Sequence, residues 1–156
     1  MEYQMTQLTR AQAIQTAIDA EKAATAFYAR LARNTKDEEA RTLLQKIASD
    51  EASHARQIVD LAERLGENEL PDAGLLLADG IEIREDWYEI DNMTYEQALQ
   101  IALDGEHHAV MMYEALAENT LPEVNAFFLG MARVEAIHAK WLTRLKSKLT
   151  SKVEPQ

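Results

Sequence analysis

The sequence contains no cysteine among its 156 residues. This absence excludes disulfide bonds, iron–sulfur clusters, iron–thiolate sites and cysteine nucleophiles, and it leaves the redox compartment open. Glycine and proline are also scarce, at five and three residues, so few positions interrupt regular structure. The chain has no run of about 18 apolar residues for a membrane span, and its N-terminus has no apolar run after a basic region. We therefore expect no signal peptide, no membrane partner and a cytoplasmic location.

Basic residues are few relative to acidic ones. The chain has 16 lysines and arginines and 27 aspartates and glutamates, which gives a net charge of −11. A surface of this charge repels phosphate backbones, so we expect no nucleic-acid partner. Apolar residues make up 47% of the chain, too many for a disordered protein. We expect residues 1–156 to form a single domain with a sizeable core.

Apolar residues recur at helical spacing in four segments, which predicts an all-α protein. Thr9 and Thr94 each precede a glutamine by three residues, as in a capping box, and Gly66 is a typical helix terminator. The predicted helices cover about residues 9–34, 37–65, 94–119 and 121–149. Residues 66–93 have no sustained helical stripe and are too many for a tight turn, so we expect a long crossover connection there.

The second half of the sequence repeats the first, at a spacing of 84 or 85 residues. What recurs is a glutamate and a tyrosine in the first helix of each half, and a Glu-x-x-His motif in the second helix. The positions are Glu21, Tyr28, Glu51 and His54 in the first half, and Glu106, Tyr113, Glu135 and His138 in the second. The repeat predicts two equivalent antiparallel helical hairpins.

The repeated glutamates are expected at one level of the bundle. Glu21 and Glu51 each lie 15 residues from position 36 in the first turn, and Glu106 and Glu135 straddle the second turn in the same way. At 1.5 Å per residue, each lies about 22 Å from its turn, near the middle of the bundle. A histidine three residues after a glutamate shares its helix face, so the two histidines belong to the same layer.

Four buried carboxylates would be severely destabilising if they were ionised and unpaired. No lysine or arginine falls on the predicted inward stripes at that level. Two divalent cations would compensate the four charges, with both histidines binding as neutral imidazoles. Carboxylates and imidazoles together suit iron, manganese or zinc better than calcium or magnesium. The residues therefore predict a site for two metal ions.

This constellation resembles the ferritin-like di-iron carboxylate proteins. In those proteins, a glutamate from each of two helices and a Glu-x-x-His motif from each of the other two point into a four-helix bundle. The helix lengths, the duplicated hairpin and the Glu-x6-Tyr spacing are most similar to the rubrerythrin group, over about residues 8–149. The resemblance implies a ferritin-like four-helix bundle of two duplicated antiparallel hairpins, joined by the long crossover.

The resemblance also implies a role for each repeated residue. By position, these roles are terminal metal ligands for Glu21 and Glu106, bridging ligands for Glu51 and Glu135, one further ligand to each metal for His54 and His138, and hydrogen-bond donors to the ligand carboxylates for Tyr28 and Tyr113. The alternative for the tyrosines is that of core aromatic residues with satisfied hydroxyls. Asp50 precedes Glu51, as in some di-iron sites where an aspartate orients a histidine; its alternative is a charge on the helix surface.

Several positions depart from the classical rubrerythrins. Those proteins carry a cysteine-ligated rubredoxin domain that delivers electrons, and this chain has no cysteine. They also have a glutamate three residues after the third-helix ligand, which exchanges with histidine as the iron changes redox state; here that position is Ala109. The site therefore resembles a simpler, six-ligand arrangement. His107 and His108 lie off the inward face of their helix and are expected at the surface.

The implied cofactor is a pair of iron ions, although manganese and zinc share these ligands. Three functions stay open. The first is an oxidoreductase that reduces hydrogen peroxide or dioxygen with electrons from an external donor. The second is a ferroxidase that oxidises and passes on iron, and the third is an oxygenase of an organic substrate. The third is less favoured because no membrane-facing apolar segment is evident. We also expect a homodimer or a larger homo-oligomer, as is common in the resembling family.

Overall fold

The computed structural model describes residues 9–67, 69–70, 90–118 and 122–152. These residues form four α-helices, which are α1 (Arg10–Asn34), α2 (Glu38–Arg64), α3 (Tyr95–Glu118) and α4 (Pro122–Lys152). No strand occurs in these parts of the chain, so the prediction of an all-α, ferritin-like four-helix bundle is confirmed. None of the described helices has an apolar stretch long enough to cross a bilayer.

The first helix of each hairpin begins at a capping box. Oγ1 of Thr9 accepts from the backbone N–H of Gln12 at 3.1 Å, and Oε1 of Gln12 accepts from the backbone N–H of Thr9 at 2.9 Å. Thr94 and Gln97 repeat both hydrogen bonds at the same distances. The start of α2 is capped by Asp37, whose carboxylate accepts a backbone N–H of the first turn at 2.9 Å. These caps satisfy N–H groups that have no partner inside the helix.

The other helix boundaries follow the prediction closely, with one difference. Gly66 has a φ of 75°, the left-handed conformation that ends helices, and it terminates α2. The last helix continues to Lys152, three residues beyond its predicted end. Most of the predicted crossover, residues 66–93, lies outside the described residues, since 68 and 71–89 are not described.

Two apolar clusters fill the interior of the bundle, one toward each end. The first joins the N-terminal halves of α1 and α4 to the C-terminal halves of α2 and α3, and it includes Ile58 and Phe128. The second joins the opposite halves of the same helices and includes Leu44 and Leu99. Each fully buried side chain of this size contributes about 1.5–3 kcal/mol to folding. Because α2 ends beside the first cluster and α3 begins beside the second, the ends of the predicted crossover lie at opposite ends of the bundle.

The helices do not approach one another equally. Within the described residues, α1 packs along α2, α3 packs along α4, and α2 also approaches α4 directly. The backbones of α1 and α3 stand further apart. Contacts between α1 and α3 are therefore made mainly by side chains.

Candidate metal centre

A buried polar layer lies between the two apolar clusters. Its six residues are each at most 5% exposed. They are Glu21 of α1, Glu51 and His54 of α2, Glu106 of α3, and Glu135 and His138 of α4. Residues three apart share a helix face at 3.6 residues per turn, so each Glu-x-x-His motif turns both of its side chains inward. The structure thus brings together the four glutamates and two histidines that recur in the repeat.

The first histidine of the layer faces three carboxylates. Nδ1 of His54 lies 3.1 Å from Oε1 of Glu135, 3.3 Å from Oε2 of Glu51 and 3.5 Å from Oε2 of Glu21. One of these glutamates comes from each of three helices. The imidazole nitrogen and the three oxygens therefore surround a common centre.

The second histidine has the matching environment. Nδ1 of His138 lies 3.0 Å from Oε1 of Glu51, 3.3 Å from Oε2 of Glu135 and 3.6 Å from Oε1 of Glu106. The two imidazole rings are nearly parallel, with an interplanar angle of 20° and centroids 6.0 Å apart. The duplication in the sequence thus becomes an approximate two-fold arrangement of side chains.

Two of the glutamates are shared between the histidines. Glu51 and Glu135 each place one carboxylate oxygen beside His54 and the other beside His138. The layer therefore divides into two four-residue groups that have both of these glutamates in common. In each group, one ligand atom per residue lies within 4.8 Å of all the others. This geometry is suited to two adjacent cations joined by two carboxylates.

Unpaired atoms in the layer provide a test of whether these residues fit a metal. Oε2 of Glu21, Nδ1 of His54 and Oε1 of Glu135 are buried and make no hydrogen bond. The nitrogen and the Glu135 oxygen are 3.1 Å apart, but they form no hydrogen bond with each other. Such atoms cost about 1–3 kcal/mol each when unpaired. A divalent cation held by these nitrogen and oxygen donors would offset that cost. The residues of the layer are therefore suited to binding a divalent metal ion.

A tyrosine from each hairpin contacts a glutamate of the other. The hydroxyl of Tyr28 donates to Oε1 of Glu106 at 2.6 Å, and the hydroxyl of Tyr113 donates to Oε1 of Glu21. Burial, reinforced by the adjacent carboxylates, raises the pKa of both phenols well above the usual range. Both hydroxyls therefore stay protonated and act as donors.

Asp50 contacts a histidine of the other hairpin. Its Oδ2 lies 3.0 Å from Nε2 of His138, and Lys46 forms an ion pair with the same carboxylate. Partial burial raises the pKa of Asp50, but the hydrogen bonds from Lys46 and His138 outweigh it and lower the pKa overall. An ionised carboxylate only accepts, so Nε2 of His138 must donate and the other ring nitrogen faces the layer. Asp50 is thus more than a surface charge.

In the metal-free protein, the pKa values of the four carboxylates of the layer do not all shift in the same direction. Burial, the largest cause, raises the pKa values of Glu21, Glu51 and Glu106, and repulsion by Glu135 adds to the increase. Burial also acts on Glu135, but the approach of both histidines outweighs it and lowers the pKa of Glu135. One glutamate therefore holds the negative charge of the layer most strongly, while the others retain protons to higher pH.

The histidines take up protons in the same metal-free state. Burial would lower the pKa of His54, but the glutamates around it raise the value to about 12. The pKa of His138 is raised for the same reason. Protons thus balance part of the carboxylate charge when no cation is bound, and a metal that coordinates these nitrogens has to displace them.

A small cavity adjoins the layer. Its volume is about 20 Å³, and the glutamates and Tyr28 share its lining with three small residues, Ala20, Ala24 and Gly105. Ala20 of α1 and Gly105 of α3 occupy equivalent positions in the repeat, and both line the cavity. A cavity needs about 10–15 Å³ of this kind of volume to hold one water molecule. The space among the carboxylates is therefore large enough for about one water molecule.

Other residues considered from the sequence lie apart from the layer. His107 and His108 are exposed, and Nδ1 of His108 lies 2.9 Å from the backbone oxygen of Asp104. Ala109 is partly buried and offers no ligand atom. The sequence reasoning did not single out Trp141, whose ring centroid lies 5.4 Å from that of His138. Its position three residues after that histidine was the available signal.

Comparison with known proteins provides a family assignment. The sequence matches the family described as Rubrerythrin over residues 3–73 and 97–156. These two segments include all six residues of the buried layer and both tyrosines. Searches of the curated proteins and of the solved structures found no match. Because the matched segments cover most of its length, the chain belongs to the rubrerythrin family, within the ferritin-like superfamily of di-iron proteins.

Proposed function

We propose that this protein binds two iron ions in the buried layer and reduces hydrogen peroxide or dioxygen with electrons from an external donor. The observation that carries the proposal is the pair of four-residue groups that share Glu51 and Glu135. Two bound iron ions would supply the redox change and the Lewis acidity that this reduction needs. Reduction of one peroxide to two waters consumes two electrons and two protons, and the electrons come from a separate reductant.

The proposed ligands follow from the distances around the two histidines. They are Glu21 and His54 for one ion, Glu106 and His138 for the other, and Glu51 and Glu135 for both. Tyr28 and Tyr113 hold the two unshared glutamates in place through hydrogen bonds. The raised pKa of each phenol keeps its proton on the hydroxyl oxygen, so these residues orient carboxylates rather than supply protons. The apolar clusters above and below exclude bulk water from the layer.

The size of the cavity supports a small oxidant. A space of about 20 Å³ among the four glutamates of the layer is too small for an organic substrate of many atoms, whereas dioxygen and hydrogen peroxide have only two heavy atoms each. The small residues Ala20 and Ala24 of α1 and Gly105 of α3 line this space and leave room in it. Oxygenation of a bulky organic molecule is accordingly the least favoured of the three functions.

A ferroxidase function is the second candidate. The net charge of −11 attracts cations to the surface of the chain, which would favour delivery of ferrous ions. In addition, Ala109 replaces the glutamate that exchanges with histidine in classical rubrerythrins, so the chain lacks one residue that those proteins use. In a ferroxidase, iron is the substrate that leaves after oxidation, whereas in the oxidoreductase it stays bound through many turnovers.

Two measurements separate these functions. Metal analysis of the purified protein should find two iron ions per chain, because the layer has ligands for two. Anaerobic protein loaded with ferrous iron is then mixed with peroxide or with dioxygen in a stopped-flow spectrometer. The oxidoreductase proposal expects oxidation by peroxide to be the faster and two irons to remain bound after repeated cycles. Slow reaction with peroxide, together with many irons retained per chain after aerobic loading, would favour the ferroxidase.

The ligand assignment is tested by substitution. Glu51→Ala and His138→Ala should each lower bound metal below two ions per chain. Glu114→Ala and His107→Ala are matched controls, since both residues are exposed on α3, and they should bind two ions. Full stoichiometry in both layer variants would refute the assignment. Circular dichroism at 222 nm verifies that each variant keeps its helices.

The proposal includes self-association. Met111, Leu129 and Ile137 are large apolar side chains that are 37%, 37% and 44% exposed, which leaves apolar surface available for a second copy. The chain has a mass of 17.6 kDa, so light scattering should give at least twice that value. A monomeric mass at micromolar concentration would contradict this part of the proposal.

A further inference from the structure

The two histidines of the layer have different surroundings behind them. Nε2 of His138 lies 3.0 Å from Oδ2 of Asp50, and the indole of Trp141 packs against its ring at a centroid distance of 5.4 Å and an interplanar angle of 41°. The side chain of His138 is fully buried, whereas that of His54 is 7% exposed. The two histidines thus have similar surroundings on the side of Nδ1, which is directed to the carboxylates. Their surroundings differ on the opposite side of the ring.

The repeat identifies what stands at the equivalent positions near His54. At the spacing of 84 residues, Asp50 corresponds to Val134 and Trp141 corresponds to Gln57. Valine has no polar atom that could accept the Nε2 proton of a histidine. Gln57 is exposed, and its amide donates to the hydroxyl of Ser53 on its own helix, at 3.2 Å. Neither equivalent residue therefore provides what Asp50 and Trp141 provide to His138.

A carboxylate behind a ligating histidine has a known physical effect. It fixes the tautomer and the ring orientation, and it raises the basicity of the nitrogen that faces the metal. Loss of such a partner lowers metal affinity by about 10–100-fold. The aromatic contact of Trp141 further restricts rotation of the His138 ring, so less side-chain entropy is lost when a cation binds there.

We infer that the two metal positions are inequivalent, and that the position formed by Glu106 and His138 binds a divalent cation more tightly and fills first. Asp50 is the positioning residue that makes the difference, and Val134 is the reason that the position formed by Glu21 and His54 is weaker. This inference rests on the proposed function only in taking the six residues of the layer as ligands of two ions. It adds that the two positions fill in a definite order, which the six ligands alone do not predict because they are nearly the same at both positions.

Calorimetric titration of the metal-free protein with Mn²⁺ provides the first test. The wild-type protein should bind two ions per chain in two steps whose dissociation constants differ by about 10–100-fold. Asp50→Asn should weaken the tight step by a similar factor, so that the two steps merge. Asp60→Asn is the matched control, because Asp60 is an exposed aspartate on the same helix, and both steps should stay unchanged.

A gain-of-function variant excludes a merely structural role for Asp50. Val134→Asp places a carboxylate at the equivalent position on α4, behind His54, and should strengthen the weak step toward the tight one. Diffraction from crystals grown with one equivalent of Co²⁺ identifies the position directly, since the anomalous peak should lie beside His138 in the wild type. In Asp50→Asn the anomalous signal should be divided between both positions.

The outcomes distinguish this inference from the proposed function. Two equal steps in the wild type, or an unchanged tight step in Asp50→Asn, would overturn the inequivalence and leave the two-metal centre standing. An anomalous peak beside His54 would overturn the assigned order. Fewer than two ions per wild-type chain at saturation would instead refute the six-ligand centre, and the inequivalence with it.

Discussion

Tyr28 donates its hydroxyl proton to Oε1 of Glu106 across the bundle, over a distance of 2.6 Å. The two residues belong to different hairpins, and the backbones of their helices stand apart. Tyr113 makes the equivalent bond to Glu21 in the opposite direction. Each hairpin thus fixes a carboxylate that the other contributes. The glutamates Glu21 and Glu106 are therefore held in place only when the two hairpins are packed together.

We predict that Tyr28→Phe weakens metal binding without unfolding the bundle. A hydrogen bond to a charged group contributes about 1.5–3 kcal/mol, and the ring itself stays in the apolar core. The dissociation constant for one of the two Mn²⁺ ions should rise by about tenfold. Calorimetry measures this change, and Tyr113→Phe should affect the other ion.

Tyr95→Phe is the control for these variants. Tyr95 is partly buried at the start of α3, packed against the second apolar cluster. Its substitution should leave both dissociation constants unchanged. Equal metal binding by Tyr28→Phe and the wild type would show that the hydroxyl does not position Glu106.

Much of this architecture follows from local sequence signals. Capping boxes at Thr9 and Thr94 and the glycine at position 66 define helix ends because they satisfy particular backbone groups, and these are short-range effects. The members of the buried layer follow from the repeat, since helical periodicity alone places Glu51 and Glu135 on inward faces. Neither inference requires knowledge of how the hairpins pack together.

The contacts between hairpins could not be predicted in the same way. Whether Tyr28 reaches Glu106 or a residue of its own hairpin depends on the rotation and separation of α1 and α3, which no local pattern encodes. The same is true of the contact from Asp50 to His138 and of the size of the cavity beside the carboxylates. These properties arise from packing, and the contact from Asp50 to His138 is the one that makes the two halves of the site differ, since Val134 stands at the equivalent position.

The pH dependence of stability should differ between the metal-free and the metal-loaded protein. The folded-state pKa values of Glu21, Glu51 and Glu106 are raised, so their contribution is present below the ordinary glutamate pKa and is lost as pH rises through the raised values. The pKa of His54 is raised from 6.5 to about 12. Its contribution to stability is therefore full below pH 6.5 and declines as pH rises from 6.5 toward 12. Glu135 acts oppositely, because its lowered pKa gives a contribution that is present above 4.5 and lost only in acid.

The metal-free protein should therefore lose stability as pH rises above 4.5, first through the three glutamates and then, above 6.5, through His54. Bound metal replaces the protons of the layer, so its stabilising effect should grow over the same range. Thermal unfolding of both forms in matched buffers measures the gap between their Tm values. Calorimetry of Mn²⁺ binding in buffers of different ionisation enthalpy should also detect proton release. A gap that is constant with pH would contradict the protonation pattern of the layer.

Removal of a helix cap should affect stability alone. Thr94→Ala deletes the hydroxyl that accepts the backbone N–H of Gln97, which costs about 1 kcal/mol in free energy of unfolding. For a chain of this size, the Tm should fall by about 2–4 °C. Thr42→Ala is the control, because Thr42 lies exposed within α2, where its hydroxyl bonds to the backbone oxygen of Glu38. Both variants should bind two metal ions, and a loss of metal in Thr94→Ala would mean that the cap also positions the site.

The cavity should restrict the oxidant by size. A space of about 20 Å³ is far too small for tert-butyl hydroperoxide, and hydrogen peroxide is a much smaller molecule, so the wild-type protein loaded with ferrous iron should react much faster with hydrogen peroxide. Ala24→Leu fills the same space from α1 and should slow oxidation by hydrogen peroxide at least about tenfold. Overpacking costs about 1–3 kcal/mol, so metal content is measured first to verify that the layer is intact.

Ala26→Leu, at an exposed position two residues away, should react like the wild type. If Ala24→Leu retains two metal ions and the full rate, the oxidant reaches the layer without passing through the cavity beside Ala24.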